Sequence, residues 1–315
     1  MMRPGKRILY LLVIFASLTA CNSQTEKPLR VGTIPWAGYE LLYLARDLQY
    51  YDNAQIQLKE LATNTEVIHA FRQGQLDMVT ATLDSALQLA ETQSDIKIIL
   101  IFNISNGADK LMVDPTITSL KALKGKRVGV EQSGVGAYMM SQVLQLAGLD
   151  RKDITIIPTT VNQHSSLLTN QLVDAVISFD PVAYKLQQQG YINLFDSRQL
   201  PAPIVDVLVT RDSALTLQKK SIQQLLEGYW QARDYMAKNP QDAFIRIAPR
   251  LDISTEELEL LYQQLILPER EHQQNIFNQQ LKTIIESVAK MMIEVGLLEK
   301  KLDSRQLLID ETMDL

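Results

Sequence analysis

Apolar and polar positions along residues 29–212 follow two alternating patterns. Short apolar runs, such as those that begin at Leu29 and Gln55, predict buried strands. Between these runs, stretches such as residues 39–51 carry apolar residues at the spacing that places them on one face of a helix. Strands that alternate with helices pack as a mostly parallel sheet with helices on both faces. The pattern therefore predicts an α/β fold.

The strand and helix pattern occurs twice along the chain at a constant offset. RVG begins at Arg30 and again at Arg127, 97 positions later. LDMVTATLD around Asp77 is echoed by VDAVISFD around Asp174, which is again 97 positions later. Chance can produce one such pair, but two pairs in the same register indicate two lobes of similar plan. The offset is far longer than the repeat of a solenoid, so we expect a pair of similar α/β lobes.

Two short apolar segments flank the second copy and are predicted to cross between the lobes. They are DKLMV at residues 109–113 and VDVLVT at residues 205–210. A double crossing predicts a hinge that closes the lobes on a ligand, whereas two rigidly fused domains are the alternative. We expect the first lobe to comprise residues 29–112 and 206–315, and the second lobe to comprise residues 113–205.

After Arg211 the pattern becomes helical only. Residues 217–237, 256–266 and 281–298 carry apolar positions at helical spacing, with no strand pattern between them. We expect these helices to pack against the first lobe or behind the hinge.

Residues 1–21 have the features of a lipoprotein signal peptide. Three basic residues precede an apolar run over residues 8–18, which is shorter than the roughly 20 residues that span a bilayer. The sequence LTAC then ends at Cys21 and resembles a bacterial lipoprotein cleavage box, in which the cysteine becomes the lipidated first residue. An ordinary secretory peptide is the alternative. Polar residues 22–28 are predicted to form a tether, so we expect a periplasmic or cell-envelope protein anchored by lipid.

Charge and cysteine content exclude several functions. The full chain has a net charge of −5, and removal of the three basic residues of the signal peptide makes it about −8. An acidic balance argues against nucleic acid as a partner. Cys21 is the only cysteine, so the chain can form no internal disulfide and has no thiol chemistry after cleavage. We expect no cofactor.

Open α/β sheets bind ligands beyond the carboxyl ends of their strands. The aromatic and polar residues in the predicted loops at these ends are the candidate ligand contacts: Trp36, Tyr39, Asn64, Asp84, Asn106, Asp109, Ser133, Gly134 and Asp180. Asp84 and Asp180 have an alternative role as helix N-caps. Regular metal-ligand spacing is absent, although Glu131, Asp84 and Asp180 could meet around calcium in a closed cleft. No metal site is predicted.

The candidate residues favour an amine-bearing organic solute over a small inorganic anion. Trp36, Tyr39 and Asp84 suit an amine or a flat heteroaromatic ring. Ser133 and Gly134, which precede a predicted helix, offer backbone amides that suit an anionic group. The loops contain no lysine or arginine at the rim of the cleft. We therefore expect a small organic solute that bears an amine or a sulfonate, or a flat ring like that of a thiamine precursor, and favour a zwitterion or an amine over nitrate or sulfate.

At this point the sequence resembles a known family. The motifs are the LTAC box, RVGTIPWAGY, TEVIHAFRQGQLDMV, TLDSAL, SNGAD, LKGKRVGVE, DAVISFDP, LFDS and VDVLV. They are similar to those of the solute-binding proteins of taurine, sulfonate, nitrate and thiamine-precursor uptake systems. The resemblance implies a type II periplasmic binding protein fold and delivery of a small organic solute to an ABC permease with its ATPase. It implies a cleft location for Trp36, Tyr39, Asn64, Asp84, Ser133 and Asp180.

Other functions are less well supported by the sequence. The three histidines, His69, His164 and His272, are not part of a recognisable nucleophile motif, so we expect no enzyme activity. Fungal pyrimidine synthases of similar sequence use a histidine and a cysteine-rich iron motif, which this chain lacks. A periplasmic sensing subunit of a membrane receptor is the alternative to a transport protein.

Overall fold

The computed structural model describes residues 27–131, 134–276 and 280–309. The predicted signal peptide with Cys21, most of the predicted tether, and Ser133 lie outside these residues. Two separate β-sheets form the centre of the molecule, and helices cover them. The predicted pair of α/β lobes is confirmed.

Within the described residues the strands are β1 (Leu29–Thr33), β2 (Ile56–Glu60), β3 (Met78–Thr82), β4 (Ile96–Ser105), β5 (Asp109–Val113), β6 (Arg127–Val130), β7 (Thr155–Pro158), β8 (Ala175–Phe179), β9 (Ile192–Asp196), β10 (Val205–Arg211) and β11 (Leu265–Ile266). The first sheet has the strand order β11-β4-β10-β3-β1-β2, and the second has the order β7-β6-β8-β5-β9. In each sheet the first strands of the lobe pair in parallel, and a strand from the crossing region joins them antiparallel.

The α-helices are α1 (Glu40–Asp47), α2 (Asn64–Arg72), α3 (Leu83–Thr92), α4 (Gly134–Ala147), α5 (His164–Thr169), α6 (Val182–Gln188), α7 (Asp212–Leu217), α8 (Lys219–Lys238), α9 (Pro240–Ile247), α10 (Thr255–Tyr262), α11 (Arg270–Asn275), α12 (Leu281–Glu294) and α13 (Ser304–Leu307). Short 3-10 helices lie at Ala37–Tyr39, Leu120–Leu123, Arg151–Asp153, Val161–Gln163, Ser197–Gln199 and Ala248–Leu251. In the part of the chain that is described, no helix combines the length and the apolar character that crossing a membrane requires.

The two sheets repeat the same register at the offset found in the sequence. Gly32 of β1 pairs with Val79 of β3, and Gly129 of β6 pairs with Val176 of β8. Both residues of the second pair lie 97 positions after those of the first. The sequence repeat therefore corresponds to one supersecondary plan used twice.

An ion pair explains why the repeat preserves an arginine and an aspartate. Arg30 lies in β1 and donates from its backbone amide and its Nε to Oδ2 of Asp77, with both distances at 2.9 Å. Arg127 makes the same contacts with Asp174, at 2.7 Å and 3.1 Å. In each lobe the pair connects the first strand to the start of the strand beside it. These charged residues thus have a structural role at the amino ends of the parallel strands, opposite to the end where the cleft residues lie.

The pairing of β5 and β10 puts the boundaries between the lobes at other residues than the sequence predicted. Among the described strands, β5 pairs with β8 and β9 alone, so residues 109–113 belong to the second sheet. Strand β10 pairs with β3 and β4 and belongs to the first sheet. Strand pairing therefore places the two crossings in residues 106–108 and 197–204, before each of these strands. The predicted division after residue 112 separates residues of one hydrogen-bonded strand.

The C-terminal helices pack against the first lobe, as the sequence indicated. Helix α8 lies against α1, and α12 lies against α3. One prediction here was wrong: residues 265 and 266 were expected to end a helix, but they form β11 and pair with β4. Helix α10 ends at Tyr262, earlier than expected. The chain then forms β11, which is an edge strand of the first sheet.

Candidate functional site

A cleft between the two lobes encloses about 430 Å³, including space that is open to solvent. Both lobes contribute to its wall, which is formed by Ile34, Trp36, Tyr39, Asn64, Thr82, Asp109, Glu131, Val135, Phe179, Ile204 and Asp206. The sequence predicted five of these residues as ligand contacts or as loop residues of the cleft: Trp36, Tyr39, Asn64, Asp109 and Glu131. The wall combines aromatic rings and branched aliphatic groups with three carboxylates.

Asp206 is the polar centre of the first-lobe side. Its Oδ2 accepts a hydrogen bond from Nε1 of Trp36 at 2.9 Å, and its Oδ1 accepts one from the Tyr39 hydroxyl at 2.9 Å. Burial raises the pKa of Asp206 to about 7, and the charge of Asp109 acts in the same direction, whereas the two donors lower it. The polar atoms of Trp36 and Tyr39 are thus held by a protein carboxylate, and their rings remain in the cleft wall.

Asp206 was not predicted as a site residue. It lies in VDVLVT, which the sequence analysis treated as an apolar crossing segment. Two signals could have identified it. A charged residue is unusual within a buried apolar strand, and Asp206 lies 97 positions after the predicted site residue Asp109.

Asp109 approaches the cleft from the second sheet. It is almost fully buried, and burial raises its pKa to about 7. The hydroxyl of Ser105 lowers that pKa, and the nearby charge of Asp180 raises it. Asp109 therefore places a second carboxylate in the wall beside Asp206, from the opposite lobe.

A hydrogen bond crosses the cleft at its other end. The Thr65 hydroxyl at the start of α2 donates to Oε1 of Glu131 at 2.9 Å, and Glu131 directly follows β6 in the second lobe. Asn64 lies next to Thr65, and its amide donates to the Ser85 hydroxyl at 3.1 Å. The Thr65–Glu131 hydrogen bond therefore connects the lobes, and the Asn64–Ser85 hydrogen bond fixes Asn64 within the first lobe.

The aromatic part of the wall also spans both lobes. The rings of Trp36 and Phe179 meet edge to face, with 5.4 Å between their centroids. Phe179 ends β8, and the sequence analysis did not single it out. Since Trp36 belongs to the first lobe and Phe179 to the second, the aromatic contact depends on the relative position of the lobes.

Asp84 lies beside the cleft without lining the cavity. It occupies the first turn of α3, whose N-cap is Thr82, so the alternative role of Asp84 as the N-cap is wrong. A Cβ atom placed on Gly134 of the second lobe would lie 2.1 Å from Oδ2 of Asp84 and 2.3 Å from the Ser85 hydroxyl. The absence of a side chain at Gly134 thus permits the close approach of the lobes. Burial raises the pKa of Asp84 to about 6.

Asp180 is engaged by a lysine. Nζ of Lys110 lies 2.5 Å from Oδ2 of Asp180, and both side chains are buried. The residue that precedes α6 as its N-cap is Pro181, although the Tyr184 amide also interacts with the Asp180 carboxylate. Asp180 is absent from the cavity wall, and its ion pair with Lys110 fixes it within the second lobe.

The remaining predicted residues are outside the wall or outside the described residues. Asn106 is exposed, and its backbone amide donates to the carbonyl of Gln264 at 2.8 Å. Gly134 begins α4, with a φ of +45°. Ser133 lies outside the described residues. Throughout the described ranges, no cluster of three or more acidic or histidine residues has the arrangement of a metal site, and Asp180, one of the three residues considered for calcium, is paired with Lys110.

Known proteins resemble this chain in sequence or in fold. A curated protein of Haemophilus influenzae named for thiamine biosynthesis is 31% identical over 147 residues, which cover 45% of this chain and 46% of that protein. The match thus spans less than half of the relative's length. The alkanesulfonate-binding protein SsuA of Xanthomonas axonopodis pv. citri, solved with bound MOPS, superposes with a TM-score of 0.75 at 17% identity, over 90% of this chain and 98% of SsuA.

One protein of similar fold is named as an enzyme. The desulfurization enzyme DSZB superposes with a TM-score of 0.66 at 16% identity, over 91% of this chain and 98% of DSZB. At such identities the likeness shows the fold alone. The predicted fold, that of the periplasmic binding proteins, is confirmed. The sequence profile described as NMT1/THI5 like matches residues 37–243, which is well over half of the chain. The protein therefore belongs to the NMT1/THI5-like family.

Proposed function

We propose that this protein is the extracytoplasmic solute-binding component of an ABC importer and that it binds a small organic solute with an amine or a cationic ring. The composition of the cleft wall carries this proposal. Carboxylates of Asp109, Glu131 and Asp206 lie among the rings of Trp36 and Phe179. No lysine or arginine belongs to the wall in the part of the chain that the structure describes.

The physical chemistry of the wall favours a cation. A carboxylate removed from water is costly unless a hydrogen-bond donor or an opposite charge satisfies it. An amine or a protonated heterocycle supplies both to Asp109 and Asp206. An aromatic face adds roughly 0.5 to 2 kcal/mol for a cation above it, depending on exposure. A small dianion would instead place its charge beside three acidic side chains.

The contacts between the lobes support a cleft that closes around its ligand. Thr65 and Glu131 meet across the cleft, as do Trp36 and Phe179. A ligand that contacts both lobes binds the closed form more tightly and increases its population. Closure of this kind gives a permease a surface that differs between the empty and the loaded protein.

The proposed location follows from the N-terminal sequence. Lipidation of Cys21 would hold the protein at a membrane of the cell envelope, and residues 22–28 would separate the lipid from the first lobe. The proposed partners are an ABC permease with its ATPase.

A thermal-shift screen tests the proposed ligand class. The compounds are polyamines, aminopyrimidines, aminosulfonates, alkyl sulfonates and nitrate. A ligand at 100 times its Kd stabilises the folded state by about 2.7 kcal/mol. We expect stabilisation by amine-bearing compounds and no response to nitrate or to a simple alkyl sulfonate.

Two variants locate the binding. Asp206→Asn removes the central charge of the wall, and we expect it to lose most of the stabilisation by amines. Asp234→Asn is the matched control because Asp234 is exposed on α8, away from the cleft. Stabilisation by nitrate alone, unchanged in Asp206→Asn, would contradict the proposal.

A further inference from the structure

Asp109 and Asp206 occupy equivalent positions in the two lobes. Each lies near the start of the strand that follows a crossing, and the two are 97 residues apart. Their partners across the antiparallel ladder are Phe179 and Thr82, which are also 97 residues apart. The internal repeat therefore extends to the crossing strands and brings the same residue type to the cleft from both sides.

The two carboxylates share one buried environment. Both line the same cavity, and about 5% or less of each residue is exposed. Tyr39, Asp84, Lys110 and Asp180 are the other titratable groups that interact with them, and Glu131 lines the same cavity. The one cation in this set, Lys110, is paired with Asp180. The charge of Lys110 lowers the pKa of Asp109, but its ammonium is held by Asp180, so this set of described groups contains no unpaired cation.

Two buried carboxylates that interact in this way cannot both be ionised without a large cost. The donors Trp36 and Tyr39 favour the charged form of Asp206. For Asp109 the described residues offer one side-chain hydrogen-bonding partner, the Ser105 hydroxyl. The arrangement favours one proton on the pair, with the negative charge held mainly on Asp206.

We propose that Asp109 and Asp206 form a carboxylate pair that holds a single proton in the empty cleft and releases it when a cationic ligand binds. This inference rests on the proposed function of the cleft. The bound cation replaces the proton as the partner of the second carboxylate, and the proton passes to solvent. The charge of the buried site is thereby the same before and after binding.

The exchange determines which solutes the cleft selects and at which pH. A cation gains two carboxylate partners, whereas a neutral analogue of the same shape leaves the proton in place and gains none. Binding of a cation is also opposed by acid, since protons compete for the same carboxylate. The apparent affinity should rise roughly tenfold per pH unit below the upper titration of the pair and level off above it.

Benzamidine and benzamide are suitable probes because they share a planar shape and differ in charge. Calorimetric titration in two buffers of different ionisation enthalpy counts the protons released. Near pH 6 we expect benzamidine to release about one proton in the natural protein and fewer in Asp109→Asn, and benzamide to release none. Benzamidine that binds without proton release, or that fails to bind at pH 8.5, would overturn the cation step.

The shared proton is testable without any ligand, which separates this inference from the proposed function. Carbon-13 labelling of aspartate carboxyl groups lets NMR follow the titration of the pair in the purified protein. We expect one member to titrate near pH 7. In Asp109→Asn we expect Asp206 to titrate at lower pH, because it stays buried but no longer has a like charge beside it. Titration of both carboxylates below pH 5, or an Asp206 signal unaffected by Asp109→Asn, would overturn the inference whether or not a solute binds.

Discussion

The indole nitrogen of Trp36 lies 2.9 Å from Oδ2 of Asp206, although 170 residues separate them in the sequence. The contact connects the loop after the first strand to a strand that the chain forms only after completing the second lobe. It orients the Trp36 ring along the cleft, where Phe179 meets it from the other side. A carboxylate of β10, the strand that follows the second crossing, thus positions an aromatic residue of the site.

The hydroxyl of Tyr39 provides the first prediction. Tyr39→Phe keeps the ring and removes the hydroxyl, so the buried carboxylate of Asp206 loses one of its hydrogen-bond donors. We expect the free energy of unfolding to fall by about 1 to 3 kcal/mol, measured by urea denaturation at pH 8. Tyr50→Phe is the control because Tyr50 makes no hydrogen bond through its hydroxyl in the described residues. Equal effects of the two variants would contradict the role assigned to Tyr39.

Closure of the lobes provides the second prediction. Gly134→Ala places a Cβ atom against Asp84 and Ser85, so we expect the lobes to be held apart. Small-angle scattering is the measurement, with solute bound to both proteins. We expect the radius of gyration of Gly134→Ala to be larger than that of the natural protein, whose lobes the solute has closed. Gly148→Ala is a matched control, because Gly148 also has a positive φ in the second lobe but no atom within 4 Å of an added Cβ. A compact, ligand-closed Gly134→Ala protein would show that this contact does not limit closure.

The pH dependence of stability provides the third prediction. The pKa of Asp84 is raised to about 6 by burial, so the folded state binds a proton that the unfolded state has lost. Its contribution to stability is present below about pH 4 and is lost as the pH rises through 6. Between pH 4.5 and 7.5 this amounts to about 2 kcal/mol.

Asp84→Asn should remove that part of the pH dependence. Urea denaturation at both pH values is the measurement, and Asp234→Asn on the surface is the control. We expect the loss of stability between pH 4.5 and 7.5 to be about 2 kcal/mol smaller in Asp84→Asn than in the control. The same loss in both variants would mean that Asp84 is ionised over this whole range.

The N-terminal sequence provides the fourth prediction. Cys21→Ser removes the residue proposed to carry the lipid, so we expect the protein to move from the membrane fraction to the soluble fraction. Solute binding should be unchanged because the predicted tether separates Cys21 from the cleft. Fractionation after cell lysis is the measurement, and undiminished recovery with membranes would contradict lipid anchoring through Cys21.

The sequence predicted the fold well because its repeat reflects a physical constraint. The Arg30–Asp77 and Arg127–Asp174 pairs fix the starts of equivalent strands, so the residues that make them recur at the same offset. The strand and helix periodicities located most elements of both lobes. Strand β11 was missed since two residues are too few to show a period, and the short helix α9 was missed for a similar reason.

The site was predicted less completely than the fold. Loop positions identified Trp36 and Tyr39, but Asp206 and Phe179 belong to strands whose apolar character suggested packing alone. Whether a strand residue faces a cleft depends on the other lobe, which local pattern does not report. Asp180 was predicted from its loop, yet its buried partner Lys110 comes from a strand 70 positions earlier.

The strand order also determines when each sheet can be completed as the chain is synthesised. Every strand of the second sheet lies between residues 109 and 196, so that lobe can assemble from one continuous segment. The first sheet has β10 between β3 and β4, in its interior, and β10 ends only at Arg211. Until then β3 and β4 lack the strand that joins them, and their apolar edges stay unpaired. The sheet that begins first in the sequence is therefore the last that can be completed, and until then its unpaired strand edges are open to pairing with other chains.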